Sequence, residues 1–174
     1  MIVRDALEAD LPAIVEIYNE AIRGRVSTAQ LDEVSVAQRL PWFRQHSAAS
    51  HPLWVAEIEG QTAGWFSFHP FIKRAAYRGT AEISVYVSEK FRRRGVGKAL
   101  LEKAILHSPQ LKLGALLGLI FEHNQPSLHL FERMGFERWG LLPRVASVDG
   151  VDRGVVIMGR QVPNGDYSSS PTTR

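Results

Sequence analysis

The chain has 174 residues, 45% hydrophobic and 22% charged, with a formal net charge of +3 and no cysteine. Such a length and composition describe one ordinary globular domain, and without cysteine neither disulfides nor thiol catalysis is available. No apolar run reaches membrane length, Met1-Ile2-Val3-Arg4-Asp5 carries no signal-peptide segment, and so small a charge admits an anionic ligand without demanding nucleic acid, so the expectation is a cytoplasmic protein with no membrane or nucleic-acid partner.

Ile2-Val3-Arg4 reads as a short first strand. Asp10 stands as a helix N-cap with Pro12 early in the helix, and Leu11, Ile14, Val15, Tyr18 and Ile22 follow helical spacing toward a core. Residues 23–33 are polar and irregular. Ser35 is placed to cap a second helical stretch, which Pro41 breaks or kinks before Trp42-Phe43. Pro52–Glu57 and Thr62–Phe68 are predicted strands of a hairpin turning at Glu59-Gly60-Gln61. Residues 69–79 form a basic, aromatic loop before the alternating strand Thr80–Val87 and the helix Val96–His107. Ala115–Ile120 is a buried strand by composition. Asn124-Gln125-Pro126-Ser127 opens a helix over Leu128–Met134, which Gly135 ends. Phe136–Leu142 and Gly154–Val162 read as the last two strands. Residues 163–174, rich in Ser, Thr, Pro and Gly, are predicted to be a disordered tail after a domain of residues 1–162. The order β-α-α-β-β-β-α-β-α-β-β is an α/β (α+β) fold, a mixed sheet flanked by about four helices.

The segment Arg92-Arg93-Arg94-Gly95-Val96-Gly97-Lys98 joins the alternating strand to the helix after it. Strand, short turn, glycines and helix present free backbone N–H groups and a positive helix end to an anion, and arginines beside them can pair with phosphate oxygens. The segment is not a nucleotide P-loop, because Ala99 follows Gly97-Lys98 and the upstream glycine is missing. Nor is it the dinucleotide fingerprint, because Leu100 stands where that pattern needs glycine or alanine. The pattern [QR]-x-x-G-x-[GA] after a strand fits Arg92 to Gly97 without a gap. That pattern is the coenzyme A loop of the GNAT family of N-acetyltransferases, which this segment resembles; a solvated arginine turn is the other reading of the same residues.

Further stretches are similar to the phosphinothricin and methionine sulfoximine acetyltransferase branch of that family: Ile17-Tyr18-Asn19, Thr80-Ala81-Glu82-Ile83-Ser84-Val85-Tyr86-Val87, His123-Asn124-Gln125-Pro126-Ser127 and Leu130-Phe131-Glu132-Arg133-Met134-Gly135-Phe136. The likeness spans about residues 2–162. It implies a sheet splayed at the cofactor strand, acetyl-CoA as cosubstrate and a homodimer. It assigns Glu82 as general base. An α-amino group with a pKa near 8 is mostly protonated at neutral pH, so a nearby carboxylate must take its proton. Alternation places Thr80, Glu82, Ser84 and Tyr86 on one face and Ile83, Val85 and Val87 on the other, toward core. Ion pairing of Glu82 with Arg74 or Arg78 is the structural alternative. The resemblance also gives backbone groups of Val85, Tyr86 and Val87 to the pantetheine arm, as an added strand, and a backbone N–H there to polarise the thioester carbonyl. Arg92, Arg93, Arg94, Gly95, Val96, Gly97 and Lys98 would hold the diphosphate, and Asn124 with Ser127 would contact the arm, Asn124 also being placed as a helix N-cap.

Two departures stand out. Phe131 occupies the position of the tyrosine that protonates the leaving thiolate in many GNATs, so no general acid is assigned. Gly150-Val151-Asp152-Arg153-Gly154-Val155 has Gly154 where the branch carries an aspartate of the acceptor pocket. Lys73, Arg74 and Tyr77, just before the Glu82 strand, suit a carboxylate or phosphinate on the acceptor, or form a merely exposed basic loop. The six histidines, 46, 51, 69, 107, 123 and 129, lack metal-ligand spacing, and no G-x-S-x-G elbow supports serine hydrolysis. The expected reaction is acetyl-CoA-dependent N-acetylation of a small-molecule amine, an amino acid or analogue of phosphinothricin, methionine sulfoximine or methionine sulfone type. A protein or peptide N-terminal acetyltransferase and a non-catalytic acyl-CoA-binding domain are the rivals.

Overall fold

The computed structural model describes residues 1–163, so most of the tail expected to be disordered lies outside the described residues. Seven strands form one sheet: β1 (Ile2–Asp5), β2 (Leu53–Ile58), β3 (Gln61–Pro70), β4 (Thr80–Val87), β5 (Ala115–Phe121), β6 (Glu137–Val148) and β7 (Val151–Gln161). Their order across the sheet is β1-β2-β3-β4-β5-β7-β6, and β4–β5 is the one parallel pair among antiparallel neighbours. Four helices are described: α1 (Leu11–Gly24), α2 (Val36–Phe43), α3 (Val96–His107) and α4 (Gln125–Arg133).

The helices cover both faces of the sheet. On one face α3 and α4 bury Leu100, Leu101, Ala104, Leu128 and Phe131 against Phe66, Phe68, Ile83, Leu116 and Met158. On the other, α1 packs Leu11, Ile14, Val15 and Ile17 onto Leu53, Val55 and Trp65, with α2 adding Leu40, Trp42 and Phe43 at the margin. The two faces of β4 divide as alternation predicts: Val85 and Val87 join the α3/α4 core, and Tyr86 joins the α1/α2 cluster.

Several local expectations need correction. Asp10 makes no side-chain cap on α1. Its carboxylate instead binds Arg4 at 2.7 and 2.9 Å and accepts the Leu7 N–H at 2.8 Å, closing the short turn before the helix. Pro41 does not end α2, which continues to Phe43. A proline at the sixth of eight positions removes one intrahelical bond, while the Ser35–Gln38 capping box holds the start. α4 begins at Gln125, ahead of Leu128, because Asn124 caps it directly. β3 runs on to Pro70, and β6 and β7 are a long ladder turning at Asp149-Gly150, both at positive φ. Exposed strand residues such as Pro143 and Arg144 follow no hydrophobic alternation that would have revealed this length.

Candidate active site

β4 pairs with β5 only over Thr80↔Ala115, Ala81↔Leu116 and Glu82↔Leu117, although each strand pairs along seven residues with its other neighbour. From Ile83 onward the two strands separate. A cleft of about 160 Å³ lies in the gap, lined by Glu82, Ser84, Val85 and Tyr86 from β4, Gly118 to Ile120 from β5, and Asn124, Ser127 and Phe131 from α4. Its fourth wall is Ser27-Thr28-Ala29, from the segment between α1 and α2.

Backbone direction within β4 follows from two hydrogen bonds. Phe68 N–H donates to Pro52 O, away from β4, and Ser88 N–H donates to Ala63 O, toward β3. In an antiparallel ladder these directions alternate. Tyr86, opposite Trp65, therefore spends its backbone groups on β3, whereas Val85 and Val87 aim theirs into the gap, where β5 has left. Two unpaired peptide edges beside a narrow cleft suit an extended amide-containing arm that adds as a strand. Tyr86 nonetheless lines the cleft.

The turn after β4 lies at the far end of this gap. Glu20 of α1 pins it, accepting the Glu89 N–H at 2.7 Å and the Ser88 hydroxyl at 3.2 Å. Arg93 and Gly95 both take left-handed φ, 64° and 79°. Ala99 N–H is the first to bond back, to Gly95 O at 3.0 Å, so the amides of Val96, Gly97 and Lys98 stay free at the positive end of α3. Alternating backbone hand followed by a helix N-terminus is an anion-binding concavity. Arg92, Arg93, Arg94 and Lys98 surround it, exposed; Arg92 pairs with Glu89 at 3.2 Å and Arg94 with Glu59 at 3.5 Å. The close approach at Gly97 is with protein: a Cβ there would lie 2.9 Å from Leu130 Cδ2 of α4. Glycine at this point lets α3 and α4 approach closely.

The Glu82 carboxylate sits where the strands part, half-buried, and burial raises its pKa above the ordinary carboxylate range. Among the described residues it makes no ion pair or hydrogen bond, so the expected structural partners Arg74 and Arg78 are not engaged. Lys73, Arg74 and Tyr77 are exposed on the loop before β4, Tyr77 packing edge-on against Phe71. They form a rim at the Glu82 end and do not line the cleft. Asn124 accepts the Ser127 N–H at 3.2 Å as the cap of α4, which leaves its amide donors for the cleft. Phe131 covers Gly118, whose missing side chain makes room for the ring, and supplies no proton.

Sequence reasoning missed the wall facing Glu82. His69 is directly opposite Glu82 on β3, and its Nε2 bonds the Ser67 hydroxyl at 2.8 Å. His46 lies 5.2 Å from His69 and Trp42 6.3 Å, ring to ring. Arg39 lies 3.8 Å over Trp42 and 4.7 Å over Tyr18. Burial, with like charge from His46 and Arg39, pulls His69 down to about 4, and burial also lowers His46. Both imidazoles are therefore neutral at pH 7. The alternation Trp65, Ser67, His69 and the i, i+3, i+7 spacing of Arg39, Trp42 and His46 were the available signals.

A sheet opened between β4 and β5, with a helix-end anion cradle at one end and a half-buried carboxylate at the other, defines an acyl-CoA-dependent acyltransferase class of fold. Residues 11–136 match the acetyltransferase (GNAT) family, and the chain belongs to it and is an N-acetyltransferase. It is 45% identical to a Bacillus subtilis protein named "Putative phosphinothricin acetyltransferase YwnH", over 93% of this chain and 99% of that one. It is 34% identical to the L-methionine sulfoximine/L-methionine sulfone acetyltransferase of Pseudomonas aeruginosa, over 85% and 87%. Among solved structures it is similar to a GNAT superfamily phosphinothricin acetyltransferase from Sinorhizobium meliloti in complex with acetyl-CoA, with a TM-score of 0.90, 30% identity, and 98% and 92% of the chains covered.

Proposed function

We propose that this chain transfers the acetyl group of acetyl-CoA to the amine of a small amino acid or analogue of the phosphinothricin, methionine sulfoximine or methionine sulfone type. The observation that carries the reading is the unpaired, half-buried Glu82 carboxylate at the point where β4 and β5 part. Relatives that act on such analogues support the acceptor class.

The cosubstrate supplies an activated thioester acyl group. The free amides of Val96, Gly97 and Lys98 with Arg92, Arg93, Arg94 and the Gly95 turn hold its diphosphate. Val85 and Val87 pair with its amide arm, Tyr86 lines it, and Asn124 with Ser127 holds it from α4. Glu82, whose proton affinity burial raises, accepts a proton from the acceptor ammonium more readily than an ordinary carboxylate. The Val85 or Val87 N–H would be placed to polarise the acyl carbonyl. Phe131 offers no acid, so as the new C–N bond replaces the thioester C–S bond the sulfur, with an ordinary thiol pKa near 8.5, would leave unaided and take its proton from water. Lys73, Arg74 and Tyr77 form a positive rim that draws an anionic acceptor.

The same reading makes the protein a cytoplasmic homodimer. Trp139, Leu141, Val145 and Val151 of the β6–β7 ladder are exposed, an apolar surface suited to a second copy. No helix among the described residues is long and apolar enough to cross a membrane.

The test is free-thiol release from acetyl-CoA against phosphinothricin, methionine sulfoximine, methionine sulfone, amino acids, polyamines and N-terminal peptides. Preference for the zwitterionic analogues is expected. Spermidine or a peptide as best substrate would overturn the acceptor assignment and leave the family intact.

A further inference from the structure

The wall opposite Glu82 holds a cation with no counterion among the described residues. Arg39 is half-buried and, among the described residues, its guanidinium has neither an ion pair nor a hydrogen bond; its Nε is sealed from solvent without a partner. Two more buried polar atoms without partners belong to the same cluster, His46 Nε2 and Trp65 Nε1. His46 Nδ1 lies 3.0 Å from Trp42 O and so carries the proton, leaving Nε2 as an unused acceptor. Trp42 joins the three, 4.6 Å from His46, 5.5 Å from Trp65 and under the guanidinium.

A charge held half out of water without a counterion is unfavourable unless something else compensates it. The faces of Trp42 and Tyr18 offset part of that through cation–π attraction. They leave the in-plane N–H donors of the guanidinium free, and those donors match an oxyanion in a planar, forked geometry. Nearby groups do not supply one: His46 and His69 are neutral at pH 7, and Glu82 binds no cation.

Arg39, Trp42, His46 and His69 do not line the cleft described above; the cluster lies beside its Glu82 end. One line of contacts runs from Arg39 through Trp42 to His69, the residue opposite Glu82. Another runs through Tyr18 to Tyr86, on the Glu82 face of β4, the Tyr18 and Tyr86 rings meeting at 5.2 Å. The rim cations Lys73 and Arg74 are exposed and screened by solvent and salt, whereas Arg39 is shielded.

We propose that Arg39 is a specificity-determining residue that receives the α-carboxylate of the amino-acid acceptor while Glu82 takes the proton of its amine. The proposal rests on the amino-acid reading above. It makes α2 a recognition element, with the rim loop steering from outside.

The test compares wild type, R39Q and R39K on two acceptors: L-methionine sulfone, or whichever amino acid the panel ranks first, and the amine obtained by decarboxylating it. The second keeps the side chain and lacks only the carboxylate. R39Q should raise KM for the amino acid roughly 10- to 100-fold, with kcat changed far less and KM for acetyl-CoA unchanged. KM for the decarboxylated amine should stay within about twofold. R39K, which keeps the charge and loses the fork, should show a smaller shift in the same direction. It also serves if R39Q fails to fold. Equal losses on both acceptors, or none on either, would overturn the role of Arg39. A wild-type enzyme that favours the decarboxylated amine would overturn the acceptor reading itself, whereas a wild-type preference for the amino acid that survives R39Q overturns the Arg39 proposal alone.

Discussion

Replacing Glu82 with glutamine tests the chemistry most directly. The side chains are nearly isosteric, and the carboxylate makes no ion pair or hydrogen bond among the described residues whose loss could unsettle the fold. An α-amino group with a pKa of about 8 is unprotonated in only about one molecule in ten at pH 7. A positioned general base contributes about 10²–10⁴-fold, so kcat/KM of E82Q at pH 7 should fall at least about 100-fold. Between pH 7 and pH 9 the free-amine fraction rises from about one tenth to about nine tenths, so the deficit should shrink by roughly tenfold. In the wild type, burial raises the Glu82 pKa. The acidic limb of its kcat/KM profile should lie above the usual carboxylate range and vanish in E82Q. The sign of the stability effect also follows. A raised folded-state pKa means that the folded chain holds its proton more tightly, so this group stabilises at low pH and that contribution is lost as pH rises through the folded pKa. E82Q should thus unfold at a temperature no lower than wild type at pH 8. The assay is thiol release across pH 5.5–9.5, with thermal melts and calorimetric acetyl-CoA titration as controls. A rate at pH 7 within about threefold of wild type, or a deficit independent of pH, would remove Glu82 from the mechanism.

Other outcomes test the remaining parts. Arg94→Ala should weaken acetyl-CoA binding roughly tenfold by calorimetry, while Glu59→Gln, which frees Arg94 from an exposed pair at 3.5 Å, should strengthen it by no more than a few-fold. Gly97→Val should lower the melting temperature as well as cofactor affinity, because its side chain meets Leu130 Cδ2 of α4; an unchanged melt with lost affinity would show that the added side chain crowds the diphosphate and not α4. Arg74→Ala should raise KM for a zwitterionic acceptor only a few-fold, and the effect should fade above about 0.5 M salt, where exposed charges are screened; a salt-independent loss would place Arg74 in direct contact.

Much of this site is written in local sequence. The alternation of Thr80 to Val87 sets the two faces of β4, because side chains in a strand alternate whatever surrounds them. The Arg92–Lys98 turn is legible because a glycine at left-handed φ and a helix start are short-range events. The cap at Asn124 and the stop at Gly135 are equally local, and so is the order of elements that gives the fold. Tertiary structure decided what depends on partners far away in the chain. Asp10 is drawn from its helix by Arg4 and Leu7. Gly97 is packed close to Leu130, more than thirty residues on. That β4 stops pairing with β5 after Glu82 is a matter of how two strands diverge, and neither strand's sequence contains it. The Arg39–Trp42–His46–His69 wall joins a helix in one third of the chain to a strand in the next. Its members look like surface charge and core aromatics until packing leaves a cation shielded and unpaired, because burial and pairing are properties of the assembled fold.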